Sequence, residues 1–337
     1  MTDVAIVKPD HIGDFMLSVP ALRALLRKFG QYDLFATPGN RFVQEFFLPD
    51  GVSFHPVKFA HLQKDSIGDQ LGDFLPRVKS YSLVVFLRDD GFCRDVCSIL
   101  GSKAVITHGN NLTHESKIQQ LVTETLTGSY SRTQMFWPDK ALHWPNRIEC
   151  VGISLSAGFF ANKIPSVCLL RLAQSLIKKH SIRVKLIGGP LEIDELQLMA
   201  RMLDLSQADV VLGGTKLEDF YQRVGECDVV IGGDSGTMHL VSAKVPVLGI
   251  FTSSPWQRFS PFGASNRVLY SDVPCSPCIQ FSKNAFNGCM SRECAALISA
   301  EDIENALLSS PSAGVTKINR MLRLVVGPSH VQPAGLT

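Results

Sequence analysis

Apolar and polar positions along the first half of the chain follow two alternating rhythms. Short β-rich runs at Val4–Val7, Leu34–Ala36, Leu83–Leu87 and Ala104–Ile106 are interleaved with amphipathic stretches at Phe15–Phe29 and Arg41–Phe47. Strand-length runs separated by helix-length ones predict a parallel sheet flanked by helices. After a turn-rich segment, Trp137–Pro145, a second series begins. It has strands at Val151–Leu155, Arg183–Ile187, Val210–Leu212, Val229–Ile231 and Val247–Phe251, with helices near Pro165–Lys179, Glu192–Leu203, Leu217–Glu226 and from about Gly236. The pattern predicts an α/β protein of two Rossmann-like domains joined near residues 138–148, with strand ends facing a cleft. The expected division is 1–145, 146–308 and a tail over 309–337, holding one short helix at Val315–Val326 and then ten residues without fixed structure.

Length and charge agree with that division. The 337 residues, 45% of them hydrophobic, can bury the cores of two domains. Lys+Arg 33 against Asp+Glu 31 gives a net charge of +2, too balanced for a general nucleic-acid binder, so no nucleic-acid partner is expected. The opening MTDVAIVKPD has neither the charged start nor the long apolar core of a signal peptide, and no run has the length of a membrane-spanning helix. A cytoplasmic location is expected. Nine cysteines, an odd number in a chain that needs no staples, point to reduced thiols. Four of them, Cys275, Cys278, Cys289 and Cys294, crowd into one segment. They read either as a structural zinc or iron site or as buried thiols, because the second pair lacks the Cys-x-x-Cys spacing of the first.

The strongest chemical signal is Val229-Val-Ile-Gly-Gly-Asp-Ser-Gly-Thr-Met-His-Leu-Val-Ser-Ala243, an apolar strand running into a Gly/Ser/Thr turn and a helix. Unpaired backbone N–H groups there, with the hydroxyls of Ser235 and Thr237, suit phosphate oxygens. The same residues also suit a plain helix start, with Asp234 or Ser235 as N-cap. Leu186-Ile-Gly-Gly-Pro-Leu-Glu192 repeats the arrangement, its Glu192 reading either as a ribose ligand or as a first-turn carboxylate favoured by the helix dipole. Ser154-Leu-Ser-Ala-Gly-Phe-Phe-Ala-Asn-Lys163 sets a loop and a lysine ahead of the next helix. Near the start, Ile6-Val-Lys-Pro-Asp-His-Ile-Gly-Asp-Phe-Met-Leu-Ser-Val-Pro-Ala-Leu-Arg23 places Asp14 after a strand, either as a helix cap or as a proton acceptor.

These four segments, in this order, resemble glycosyltransferase family 9, the heptosyltransferase-like family, over roughly residues 4–305. The Phe251–Gly263 segment adds to the likeness, with Thr252 where the family usually has glycine. The resemblance implies a GT-B fold and an inverting transferase that moves a sugar, such as a heptose, from a nucleotide-diphosphate donor, ADP-heptose among them, to a hydroxyl of a glycan such as lipopolysaccharide core. It implies Asp14 as catalytic base. Lys163, Glu192, Asp234, Ser235, Gly236, Thr237 and His239 are the implied donor ligands. Lys8, Asp10 and His11, in a loop that departs from the family's usual Arg-Leu-Ser-Ser, face the acceptor. No cofactor is required for such a displacement, and an acceptor of that class implies peripheral contact with the inner face of the cytoplasmic membrane. The rival reading is a nucleotide-binding or regulatory protein on the same scaffold, without transfer chemistry.

Overall fold

Each series of apolar runs forms its own all-parallel sheet. The protein is described from a computed structural model over residues 3–48, 50–57, 67–108, 113–128, 142–212, 216–261, 265–271, 273–278, 289, 292–309 and 315–318. The first sheet holds β1 (Val4–Lys8), β2 (Tyr32–Ala36), β3 (Val52–Pro56), β4 (Leu83–Phe86) and β5 (Ala104–Ile106), in the order β3-β2-β1-β4-β5. Its register sets Ala5 beside Asp33 on one side of β1 and beside Val84 on the other. The connecting helices are α1 (Ile12–Met16), α2 (Val19–Phe29), α3 (Arg41–Phe47), α4 (Ile67–Val78), α5 (Gly91–Leu100) and α6 (Glu115–Thr127).

The second sheet runs β12-β11-β10-β9-β6-β7-β8. Its strands are β6 (Cys150–Ser154), β7 (Arg183–Gly188), β8 (Val210–Leu212), β9 (Val229–Gly233), β10 (Val247–Phe251), β11 (Arg267–Ser271) and β12 (Val315–Ile318). The helices α7 (Ser166–His180), α8 (Ile193–Met202), α9 (Leu217–Val224), α10 (Gly236–Ser242), α11 (Trp256–Phe259), α12 (Glu293–Ala296) and α13 (Ala300–Leu308) complete it. Strand order reverses between β1 and β4 in one sheet and between β6 and β9 in the other, and such reversals open a crevice at the strands' C-terminal ends.

Two sequence expectations are corrected. The Phe15–Phe29 stretch is two helices, because the Ser18 hydroxyl donates to the Asp14 carbonyl at 2.8 Å and Pro20, lacking an N–H, restarts the chain in the first turn of α2. Asp14 therefore lies inside α1, whose N-cap is His11, and it does not cap the helix. In the tail, Val315–Ile318 is a strand paired to β11, not the start of a helix; β-branched Val, Thr and Ile suit a pleated edge better than a helix. The rest of the tail, from residue 319, and the first part of the predicted join, 138–141, lie outside the described residues.

The two domains pack on an apolar seam. Phe46 and Phe47 of α3 set their rings 5.4 and 6.3 Å from that of Tyr221 on α9, whose hydroxyl donates to the Leu240 carbonyl at 2.9 Å. Edge-to-face aromatic pairs of this kind add about 0.5–1.5 kcal/mol each to what their burial contributes. Among the described residues no helix is long and apolar enough to cross a membrane.

Candidate active site

The loops that leave the two crevices enclose one cavity of about 870 Å³. From the first domain come Asp10, His11, Gly13 and Asp14 after β1, Asn40 before α3, and Arg88 after β4. From the second come Gly158, Phe159 and Asn162 after β6, then Asp234, Ser235, Gly236 and His239 after β9, and Ser254 and Phe259 after β10. Gly13 and Gly236 bring the two sides together. A methyl group on Gly13 would stand 2.9 Å from His239 Cδ2, and one on Gly236 would stand 2.0 Å from Ile12 Cγ2. Only hydrogen fits at either position.

Asp14 sits in the first turn of α1 at this contact. Burial, then the nearby charge of Asp10, pushes its carboxyl up to about 7, against the pull of Lys8 and His239. A carboxylate that titrates near neutrality is a strong enough base to accept a proton and is still ionised in half or more of the molecules at working pH.

Beneath Asp14 lies a buried ion network. Lys8, 1% exposed, lies 3.0 Å from Asp10 and 3.5 Å from Glu115 and donates to the Leu87 carbonyl at 3.0 Å. Burial disfavours its charge, but Asp10, Glu115 and Asp14 outweigh that and raise its pKa above the ordinary lysine value. Arg88 pairs with Asp10 and Asp90, while Asp90 caps α5 by accepting from the Cys93 N–H at 2.8 Å. The Asp10 carbonyl accepts from Asn40 at 2.8 Å and Thr37 at 3.0 Å, which fixes the loop. Asp89 turns to Arg94 at 2.5 Å and His108 at 3.1 Å. Of the three residues expected to face the acceptor, Asp10 and His11 line the cavity and Lys8 lies under its floor.

On the other side, Asn162 organises the turn. Its Oδ1 accepts from the hydroxyls of Ser253 and, at 2.9 Å, Ser254, and its Nδ2 donates to Asp234 at 3.2 Å. Ser235 is the N-cap of α10, its hydroxyl accepting from the Met238 N–H at 3.4 Å. His239 Nε2 lies 3.8 Å from Asp234, and its Nδ1 is buried with no hydrogen-bond partner among the described residues. Thr237 is half-buried in the first turn of α10. Lys163 forms an ion pair with Glu195. Glu192 folds back on its own turn, accepting from the Gly189 N–H at 2.8 Å and the Ser156 hydroxyl at 3.2 Å. Within the cysteine cluster, burial and then the charges of Cys278, Cys275 and Cys289 push the Cys294 thiol up to about 11. Among the described residues, however, no three His, Cys, Asp or Glu side chains are grouped as metal ligands.

The sequence alone gives no role to Arg88, Glu115 or Asn162, and marks Arg258 only as part of the Phe251–Gly263 segment. Each belongs to the site through partners far away in sequence; Glu115, for example, accepts from Arg258, 143 residues on. Asn162 and Arg258 carry a local sign, the first standing next to Lys163 in a loop already marked as chemical, the second within the Phe251–Gly263 segment.

Known proteins share the fold and, over part of the second domain, the sequence. Residues 149–287 match the family described as glycosyltransferase family 9 (heptosyltransferase). Lipooligosaccharide heptosyltransferase 2 of Campylobacter jejuni is 34% identical over 68 residues, which is 20% of this chain and 21% of that protein. The alignment thus spans about a fifth of that relative's length. The glycosyl transferase family 9 structure from Veillonella parvula superposes with a TM-score of 0.65 at 16% identity, covering 90% of this chain and 96% of its own. E. coli heptosyltransferase WaaC with ADP-2-deoxy-2-fluoro heptose gives 0.63 at 16% identity, over 90% and 98% of the two chains. Identities this low establish the fold, and the residue-level likeness lies in the second domain. Over residues 149–287 the chain is therefore similar in sequence to glycosyltransferase family 9 (heptosyltransferase), and across both sheets it shares the fold of solved structures of that kind.

Proposed function

We infer that this protein is an inverting glycosyltransferase that moves a sugar, of heptose class, from an ADP-linked donor to a hydroxyl of a glycan such as lipopolysaccharide core. The observation that carries this reading is a near-neutral aspartate, Asp14, set in one cavity opposite the Asp234–Gly236 turn. The WaaC structure was solved with an ADP-heptose analogue, which supports a donor of that class here.

In the proposed reaction the acceptor hydroxyl gives its proton to Asp14 while its oxygen attacks the anomeric carbon. The bond from that carbon to the diphosphate breaks, and the nucleoside diphosphate leaves with the bonding pair. The first domain holds the acceptor, with Asp10, His11, Asn40 and Arg88 around it. The second holds the donor. There His239 Nδ1, the Ser235–Thr237 backbone and a Lys163 released from Glu195 offset the charge on the phosphates, while Glu192 takes the ribose. An acceptor on a lipid-linked glycan brings the protein to the membrane surface as a peripheral partner.

The decisive experiment is a thermal-shift and transfer assay over a panel of nucleotide-sugars. A ligand present at 100 times its dissociation constant stabilises by about 2.7 kcal/mol. Stabilisation by ADP-heptose and transfer lost on Asp14→Asn support the reading. Binding without transfer or hydrolysis in the wild type returns the protein to the binding-module class.

We also propose a structural zinc or iron at Cys275, Cys278, Cys289 and Cys294, on four thiols within twenty residues, three of which act on Cys294. It requires the segment to tighten around the ion. Elemental analysis of protein purified without chelator should give about one equivalent per chain, and metal-free folded protein would sink the idea.

A further inference from the structure

A buried ion chain crosses the domain boundary behind Asp14. Glu115, 6% exposed, opens α6 in the first domain. Its Oε1 accepts from Lys8 at 3.5 Å and from Gln119 at 3.2 Å. Its Oε2 accepts from Arg258 of α11, in the second domain, through Nε at 3.2 Å and Nη2 at 3.1 Å. A second bond crosses the same seam, between His114 Nε2 and the Ser260 carbonyl at 3.0 Å. Burial drives the Glu115 carboxyl up, but Lys8 and Arg258 outweigh it and hold it below the ordinary carboxylate range.

We propose that Glu115 is a positioning residue for Asp14 and that Arg258 completes it only when the two domains are together, so that closing the cleft sets the charge Asp14 feels. The inference rests on the reading of Asp14 as proton acceptor.

With Arg258 seated, the negative charge of Glu115 is shared between two cations, and Lys8 is left to act on Asp10 and Asp14. Parting of the domains carries Arg258 away with α11. Glu115 then keeps Lys8 as its counter-charge and Gln119 as a neutral donor, and its less compensated charge makes Asp14 harder to ionise. The base is thus formed best while the cavity is closed, which protects an activated donor from water. The other groups acting on Asp14 are Lys8 and Asp10 from the end of β1 and His239 from α10. Arg88 reaches it through Asp10, and Asp234 through His239. Of these only Lys8 touches Glu115, so its share in the shift belongs to the same ion chain, while the others keep their partners when Glu115 or Arg258 is replaced.

A mechanical latch alone predicts something different: loss of either partner opens the cleft, water reaches Asp14, and its titration moves the same way in both variants. The test is therefore a direct titration of Asp14 in the full chain labelled with ¹³C-aspartate, its carboxyl resonance identified by its loss in Asp14→Asn. No donor or acceptor is required, so failure of the transfer reading leaves this measurement intact. Glu115→Gln is expected to lower the Asp14 midpoint by on the order of half a pH unit, Arg258→Gln to raise it by a similar amount, and the double variant to return near wild type. Shifts in the same direction, or none, overturn the proposal. If Glu115→Gln fails to fold, Arg258→Lys decides: it keeps the charge and should leave Asp14 near its wild-type midpoint, and a shift matching that of Arg258→Gln overturns the proposal.

Discussion

Gly236 of the second domain and Ile12 of the first meet so closely that a single added methyl group would overlap Ile12 Cγ2 at 2.0 Å. The overlapped atom is a branch next to the backbone and cannot swing clear cheaply. Gly236→Ala should therefore part the two loops, lower stability by about 1–3 kcal/mol and weaken ADP binding at least about tenfold. Calorimetric titration with ADP and a thermal melt check both. Wild-type affinity in the variant would place the nucleotide away from this contact.

Asp14→Asn should reduce transfer by roughly 100- to 10,000-fold while preserving donor binding. The wild-type rate should fall as pH drops below about 7, where Asp14 gains a proton. For stability the sign is the reverse of the usual aspartate case. The folded midpoint of about 7 lies above the ordinary value of 3.8, so the fold favours the protonated form and loses stability as pH rises from about 4 towards 7, the loss being complete above that. The variant escapes that loss, and its melting temperature should exceed the wild type's at pH 8 by more than at pH 5. An equal difference at both pH values would show that Asp14 is not raised.

Lys163 and Glu195 are paired in the protein without ligand, so the two should respond oppositely. Lys163→Ala should weaken ADP binding, whereas Glu195→Ala frees the ammonium and should leave binding unchanged or tighter. Each should change stability by less than about 1 kcal/mol, as partly exposed ion pairs do. Parallel losses of affinity in the two variants would remove Lys163 from the donor site.

Asn162→Ala should cost about 2–3 kcal/mol, because the hydroxyls of Ser253 and Ser254 lose a buried acceptor and Asp234 loses its donor. Asn162→Asp keeps the acceptor but sets a second carboxylate beside Asp234, so it should be destabilised more at pH 8 than at pH 5. Denaturant melts at the two pH values check this.

Much of this architecture can be read along the chain, because it is local. A glycine-rich turn after an apolar strand marks Asp234, Ser235 and Gly236, and the Gly13-Asp14 step after β1 marks the opposite wall; all of them line one cavity. What cannot be read locally is charge brought together by folding. Lys8 looks like a surface lysine ahead of a proline, and becomes a buried counter-ion only because Glu115, 107 residues away, folds over it. The pairing of Lys163 with Glu195 across 32 residues is hidden for the same reason. The break at Ser18 is missed because amphipathic spacing continues across it, and the last strand because four residues are too few for a period to show.

That last strand has a further consequence. Val315–Ile318 lies in register along Val268–Ser271 and forms the outer rim of the second sheet. A chain cut after Ser309 would bare the backbone groups of Arg267–Ser271, an unguarded rim of the kind that recruits strands from other molecules. The strand Val315–Ile318 thus acts as a stopper against aggregation, and a chain trimmed ahead of it should associate more readily than the full one.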